Sequence, residues 1–178
     1  MHLSNTITTR LLLLLSPLAA VALPTLNPPI NNRDTCQRTF PTSTRSINLL
    51  NRPDLQLAAT QTIRFALPRE ALAGSGPCAL RARFPAHWEV YDSSVEAGGA
   101  PLAVDIFDVD GPAAGALVGS VRFAAVEVGG AAATINSFAC RESMAYRLVL
   151  AGVGEVGFVN GEDRGLGLDG GVEMVWGC

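Results

Sequence analysis

The sequence predicts an all-β fold, an antiparallel sandwich of about nine strands, because apolar residues recur at alternate positions in short runs. Two further observations agree. Glycine and Asp/Asn turn signals punctuate the runs at short intervals, and no ten-residue stretch carries a helical pattern. Without crossover helices, two sheets bury their apolar faces most simply against each other.

Taken in order, residues 1–22 read as a secretory signal peptide. A polar start carries Arg10, an apolar run extends from Leu11 to Ala22 broken only by Ser16 and Pro17, and Ala20-Val21-Ala22 supplies the small-residue cleavage site. The run is too short for a permanent membrane span, and no later segment has spanning length. The expected mature protein is secreted and extracellular, with no membrane span after signal cleavage.

Residues 23–59 hold Pro24, Pro28, Pro29, Pro41 and Pro53 among Asn, Thr and Ser, a composition that buries little surface. They read as an extended N-terminal arm tethered at Cys36, with a short helical turn possible around Ser46 to Leu50. The sandwich domain is expected over residues 60–178. Its first strand, Thr62 to Leu67, places Ile63, Phe65 and Leu67 on one side. The next, Cys78 to Phe84, puts Leu80, Ala82 and Phe84 on one face and Arg81 and Arg83 on the other. Further strands are expected at Trp88 to Tyr91, Leu102 to Val109, Ser120 to Val128, Thr134 to Cys140, Ala145 to Leu150, Glu155 to Val159 and Val172 to Trp176.

The cysteines are Cys36, Cys78, Cys140 and Cys178, an even number in an exported chain, and two disulfides are the expectation. Three pairings are open, and Cys178 as the last residue suggests a bridge that pins the chain end to the body. No two cysteines share the C-x-x-C spacing of a zinc site. The formal charge of -3 argues against a generally basic nucleic-acid binder. Every strong base is arginine, which leaves no lysine amine for acetylation or ubiquitin attachment. No N-x-S/T sequon is present, so N-glycosylation is not expected.

The order of landmarks resembles a known family. The run F-x-L-P (Phe65 to Pro68) and C-x-L-x-x-x-F-P (Cys78 to Pro85) are followed by G-S-x-x-F (Gly119 to Phe123) and F-x-C (Phe138 to Cys140). Y-x-L (Tyr146 to Leu148) and G-L-x-L (Gly165 to Leu168) close the series. This succession is similar to the fungal secreted But-two C-terminal domain, named from a protein that binds the ubiquitin-activating enzyme Uba-three. The resemblance covers roughly residues 60–178 and implies a compact β-sandwich on a fungal extracellular protein. It implies no catalytic or binding residue, and an exported chain would not ordinarily meet cytosolic ubiquitin machinery.

The stretch LAVDIFDVDG, residues 102–111, is the densest concentration of chemistry. Asp105, Asp108 and Asp110 would form a calcium site only if their oxygens converged, since calcium takes six to eight oxygen ligands. The spacing is not the EF-hand ladder, and no glutamate stands at the bidentate position. The favoured reading is a strand with Leu102, Val104 and Ile106 inward, a bulge at Phe107 that restores the apolar face, and a turn at Asp110-Gly111-Pro112. The second acidic loop, Asn160-Gly161-Glu162-Asp163, slightly favours the calcium alternative.

Catalysis finds little support. The mature chain keeps one histidine, His87, and carries neither G-x-S-x-G nor H-E-x-x-H. A hydrolase would need an exposed carboxylate pair in a cleft. Arg64, Arg81, Arg83, Arg122 and Arg147 fall at polar-face strand positions, where they either form an arginine-bearing sheet face for anionic polymers or are solvated residues that discourage edge pairing. Trp88, Tyr91 and Trp176 stack on sugars if exposed and fill the core if not. The expected function is thus a non-catalytic binding or structural module of the fungal cell surface or wall, with Arg64, Arg81, Arg83, Trp88 and Tyr91 as the binding candidates and no cofactor. Its partner is a wall polysaccharide or an extracellular protein. The alternative is an effector-type protein that binds a host or competitor protein.

Overall fold

The alternating runs do become strands. In the computed structural model, residues 36–73, 76–122, 131–163 and 168–178 are described, and the fold is all-β. The expected signal peptide, the start of the arm, and residues 123–128 of the expected fifth strand lie outside the described residues.

Three antiparallel sheets share the work. The first joins β1 (Gln37–Thr39), β13 (Leu168–Trp176), β5 (Cys78–Phe84) and β9 (Ala131–Phe138) in that order, with β12 (Gly161–Asp163) also paired to β13. The second runs β4 (Gln61–Ala66), β10 (Ser143–Leu150), β7 (Ala103–Asp108), β8 (Leu117–Arg122). The third runs β3 (Leu57–Ala59), β2 (Ser46–Arg52), β11 (Gly154–Val159), β6 (Val90–Asp92). Helix is limited to single turns, Pro53–Leu55, α1 (Arg69–Leu72) and α2 (Ser93–Glu96).

All three sheets feed one core. Phe84 of the first sheet meets Phe158 of the third edge to face at 5.3 Å, and Phe138 of the first stacks on Tyr146 of the second at 5.7 Å. Ile63, Phe65, Leu80, Ile106, Leu148 and Met174 are fully buried around them. Each such side chain contributes roughly 1.5–3 kcal/mol by leaving water.

The arm expected over 23–59 needs correction in its described part. Residues 46–52 are not a helical turn outside the domain but strand β2, which pairs with β11 from Ser46↔Val159 to Asn51↔Gly154. Ile47 and Leu49 alternate inward and are fully buried. Only two apolar positions turn inward, too short a period-two signal to stand out among Pro and Asn. With β1, β3 and β12, each of three residues, β2 raises the expected nine strands to thirteen among the described residues, and two layers to three sheets. Three-residue strands leave no periodicity to read.

Two disulfides close the body. Cys36 at the head of β1 bonds Cys178 just past β13, with Cα atoms 4.7 Å apart, and Cys78 bonds Cys140 with Cα atoms 5.0 Å apart. The chain end is therefore pinned to β1, as the terminal cysteine suggested. Among the described residues no helix is long and apolar enough to cross a membrane.

Candidate functional site

Strand β7 alternates strictly: Val104, Ile106 and Asp108 are buried, while Asp105 and Phe107 face partly outward. The bulge expected at Phe107 lies instead on the partner strand. Ile106 pairs with Gly119 and Phe107 with Leu117, so Val118 of β8 is the extra residue. The period of β7 is never reset, and Asp108 rather than Phe107 takes the next inward position. Antiparallel register with β10 sets it directly opposite Tyr146, which is also buried.

A buried carboxylate needs donors. Asp108 Oδ1 accepts from the Gly111 amide at 2.9 Å and lies 3.7 Å from Arg141 Nη2. Asp110 Oδ1 accepts from Arg141 Nη1 at 3.2 Å and from the Ala145 amide at 3.0 Å, and its Oδ2 is 3.5 Å from Arg64 Nη1. Asp105 points elsewhere and accepts from the Ser120 hydroxyl on β8. The three carboxylates do not converge. Two share an arginine and the third belongs to the outer face of the second sheet. Among the described residues no group of three or more His, Cys, Asp and Glu side chains is placed to hold a metal ion. In the second acidic loop, Asn160 is buried and its Oδ1 accepts from the Val172 amide at 2.5 Å. The side chains of Glu162 and Asp163 lie outside the described residues.

The Asp108–Arg141–Tyr146 group borders a cleft of about 270 Å³ between the β7–β8 turn, the end of β9 and the start of β10. Burial pushes the Tyr146 phenol well above its ordinary value; Arg141 opposes this and the Asp108 and Asp110 carboxylates reinforce it. Tyr146 is therefore a neutral hydroxyl at any physiological pH. Sequence reasoning missed Arg141 and Tyr146 as site residues. Arg141 follows a cysteine outside any strand, and Tyr146 looks like another inward aromatic until register sets it beside Asp108.

The expected binding residues are not brought together. Arg64, Arg122 and Arg147 lie on the second sheet, where Arg147 covers the Phe107 ring at 5.6 Å. Arg81 and Arg83 lie on the first. There Arg83 Nε is 3.5 Å from the buried Glu173 carboxylate, its Nη2 also bonds Asp169, and Arg38 Nη2 reaches Asp169 at 2.5 Å. The single arginine-bearing face splits into two.

Trp88 is buried at 3% exposure and donates its Nε1–H to the Val159 carbonyl at 3.0 Å. Its indole lies over Gly170, where an added Cβ would come within 3.0 Å of the ring. The tight turn that delivers it, closed by Trp88 N–H to the Pro85 carbonyl at 3.1 Å, places His87 exposed at φ 66°. Trp176 is buried as well, and Tyr91, 42% exposed, stands apart from both. No aromatic platform of the kind that stacks on sugar rings is assembled from these three residues.

Asp92 is a site of local order rather than chemistry. Its carboxylate caps α2, accepting from the Ser94 amide at 2.9 Å and hydroxyl at 2.7 Å, and from the Leu102 amide at 2.8 Å. Burial alone would raise its pKa, but these hydrogen bonds outweigh burial and hold it below the usual carboxylate value.

Compared with family models, curated proteins and solved structures, the chain matches none.

Proposed function

We propose that this chain is an exported, non-catalytic binding module of a fungal cell surface or wall. The observation that carries the reading is the Cys36–Cys178 bridge, which with Cys78–Cys140 leaves no free cysteine and suits an oxidising compartment. The landmark order that resembles the But-two C-terminal domain supports the fungal and extracellular parts. Support for a binding role comes from the carboxylates of Asp92, Asp108, Asp110, Asp169 and Glu173, which are committed to arginines or backbone amides and so are poor candidates for acid–base work.

The test is retention of the oxidised protein on chitin, β-glucan, cellulose and whole fungal wall. Saturable retention on one polymer supports wall attachment. Absence of retention on all of them overturns it.

An effector-type role, in which the ligand is an extracellular protein, draws on a different observation. Among the described residues strand β3 pairs only with β2, and Leu55 and Leu57 beside its other edge are more than half exposed. An apolar open edge is a template for a partner's strand. Capture of a saturable protein partner, lost on Leu57→Lys, would favour it.

A further inference from the structure

We infer that the cleft beside the β7–β8 turn is a binding site for a small, uncharged, largely apolar molecule that carries one hydrogen-bond acceptor. Nothing in the wall-binding reading requires this site.

The shape comes from the bulge. Because Val118 is the extra residue of β8, the strand shifts against β7, and the Val118 carbonyl accepts from Asn136 Nδ2 of β9 at 2.8 Å. That bond ties the second sheet to the first at a corner. Beside it lies a space of about 270 Å³ lined by residues of both sheets, just below the roughly 300–1,000 Å³ typical of small-ligand sites.

The lining sets the chemistry. Met144 and Tyr146, both 1% exposed, line the cleft together with Phe138 and Leu117. Leu117 is 55% exposed, apolar surface that a bound ligand would take out of water. The polar lining residues are Asn136 and Ser137 on β9, and Asp108, Arg141 and Tyr146, which adjoin one another and form the polar end.

Charge balance sets the selectivity. Asp108 and Asp110 offset Arg141 and Arg64 within the same network, so a ligand carboxylate or sulfonate meets no net positive field. It would have to shed its water without compensation. A neutral acceptor needs only one donor. Arg141 Nη1 is taken by Asp110, the guanidinium also bonds the Tyr146 side chain, and Nη2 stands 3.7 Å from Asp108, beyond hydrogen-bond length; a guanidinium carries more N–H donors than these partners take. A carbonyl or ether oxygen at the polar end could accept from it.

Two fluorescent probes of the same skeleton test this, neutral N-phenyl-1-naphthylamine and anionic 8-anilino-1-naphthalenesulfonate, added to the oxidised full-length protein. The expected result is saturable one-to-one binding of the neutral probe, with the sulfonate weaker by about tenfold or more, as an uncompensated charge in an apolar site requires. Ala116→Trp, which places an indole on the cleft lining, is expected to abolish the neutral probe's signal, and Ala58→Trp on β3 to leave it unchanged. Leu117→Asn, at an exposed position, is expected to weaken the probe several-fold and serves if Ala116→Trp alters the far-ultraviolet spectrum. No saturable binding of the neutral probe, equal binding of both probes, or unchanged binding in the cleft variants would each overturn the inference.

Discussion

Asp108 closes over Gly111: its Oδ1 accepts from the Gly111 amide at 2.9 Å, and a Cβ on Gly111 would stand 1.9 Å from its Oδ2. The glycine is required here for space beneath the carboxylate. Gly111→Ala should therefore destabilise the fold by about 1–3 kcal/mol, as overpacking does. In a denaturant cycle, Asp108→Ala in the same chain should remove most of that cost, a coupling expected only of groups in contact. Strict additivity of the two substitutions would refute the contact.

Asp92 gives stability a dependence on pH. Its folded pKa lies below the ordinary value of 3.8, so its contribution is complete above that value and disappears as pH falls through the lower, folded one. Replacing it by Ala also leaves the Ser94 and Leu102 amides without their acceptor, a loss of about 1–2 kcal/mol at neutral pH. Urea unfolding at several pH values should show the gap between wild type and Asp92→Ala narrowing in acid. A gap that stays constant would mean that ionisation plays no part.

Tyr146 gives the opposite dependence. Its folded pKa is raised above the ordinary value of 10.0, so the contribution is whole below that value and is lost as pH climbs toward the folded one. Phenolate absorbance in the native protein should account for Tyr91 without Tyr146, whose signal should appear together with alkaline unfolding. Ionisation of both tyrosines before unfolding would contradict the burial of Tyr146.

The Cys36–Cys178 bridge spans 142 residues and holds β1, a three-residue strand that among the described residues pairs only with β13. Removing both of its cysteines should cost roughly 2–5 kcal/mol and expose β1 first. Hydrogen exchange should show Gln37–Thr39 losing protection while β10 keeps it. Simultaneous loss in both strands would mean that the bridge supports the whole body.

Calcium should have no effect on the melting temperature, because Asp105 is turned to Ser120 while Asp108 and Asp110 are turned to Arg141. Thermal unfolding in calcium and in EDTA checks this. A rise in calcium that is lost in Asp108→Asn would show that the carboxylates can leave the arginine for a metal.

How far the residues announce the structure differs from element to element. Strand β5 was legible to the residue, Cys78 to Phe84, because seven alternating positions are enough to reveal a buried face. All-β character followed from the same period, and the two disulfides from an even cysteine count. Strand β2 was hidden because Ile47 and Leu49 alone carry its pattern, and β1, β3 and β12 because three residues carry none. Strand pairing is non-local, so neither the bridge partners nor the order of the sheets is written in any one window.

The candidate site depended almost wholly on tertiary structure. The sequence by itself placed three aspartates in one short stretch and the turn that ends it. Only the β8 partner decided that the extra residue is Val118, which turned Asp108 inward, opposite Tyr146 and toward Arg141. A one-residue choice in register exchanges the faces of a strand. That choice is made between strands, by how they pack, and no single strand records it.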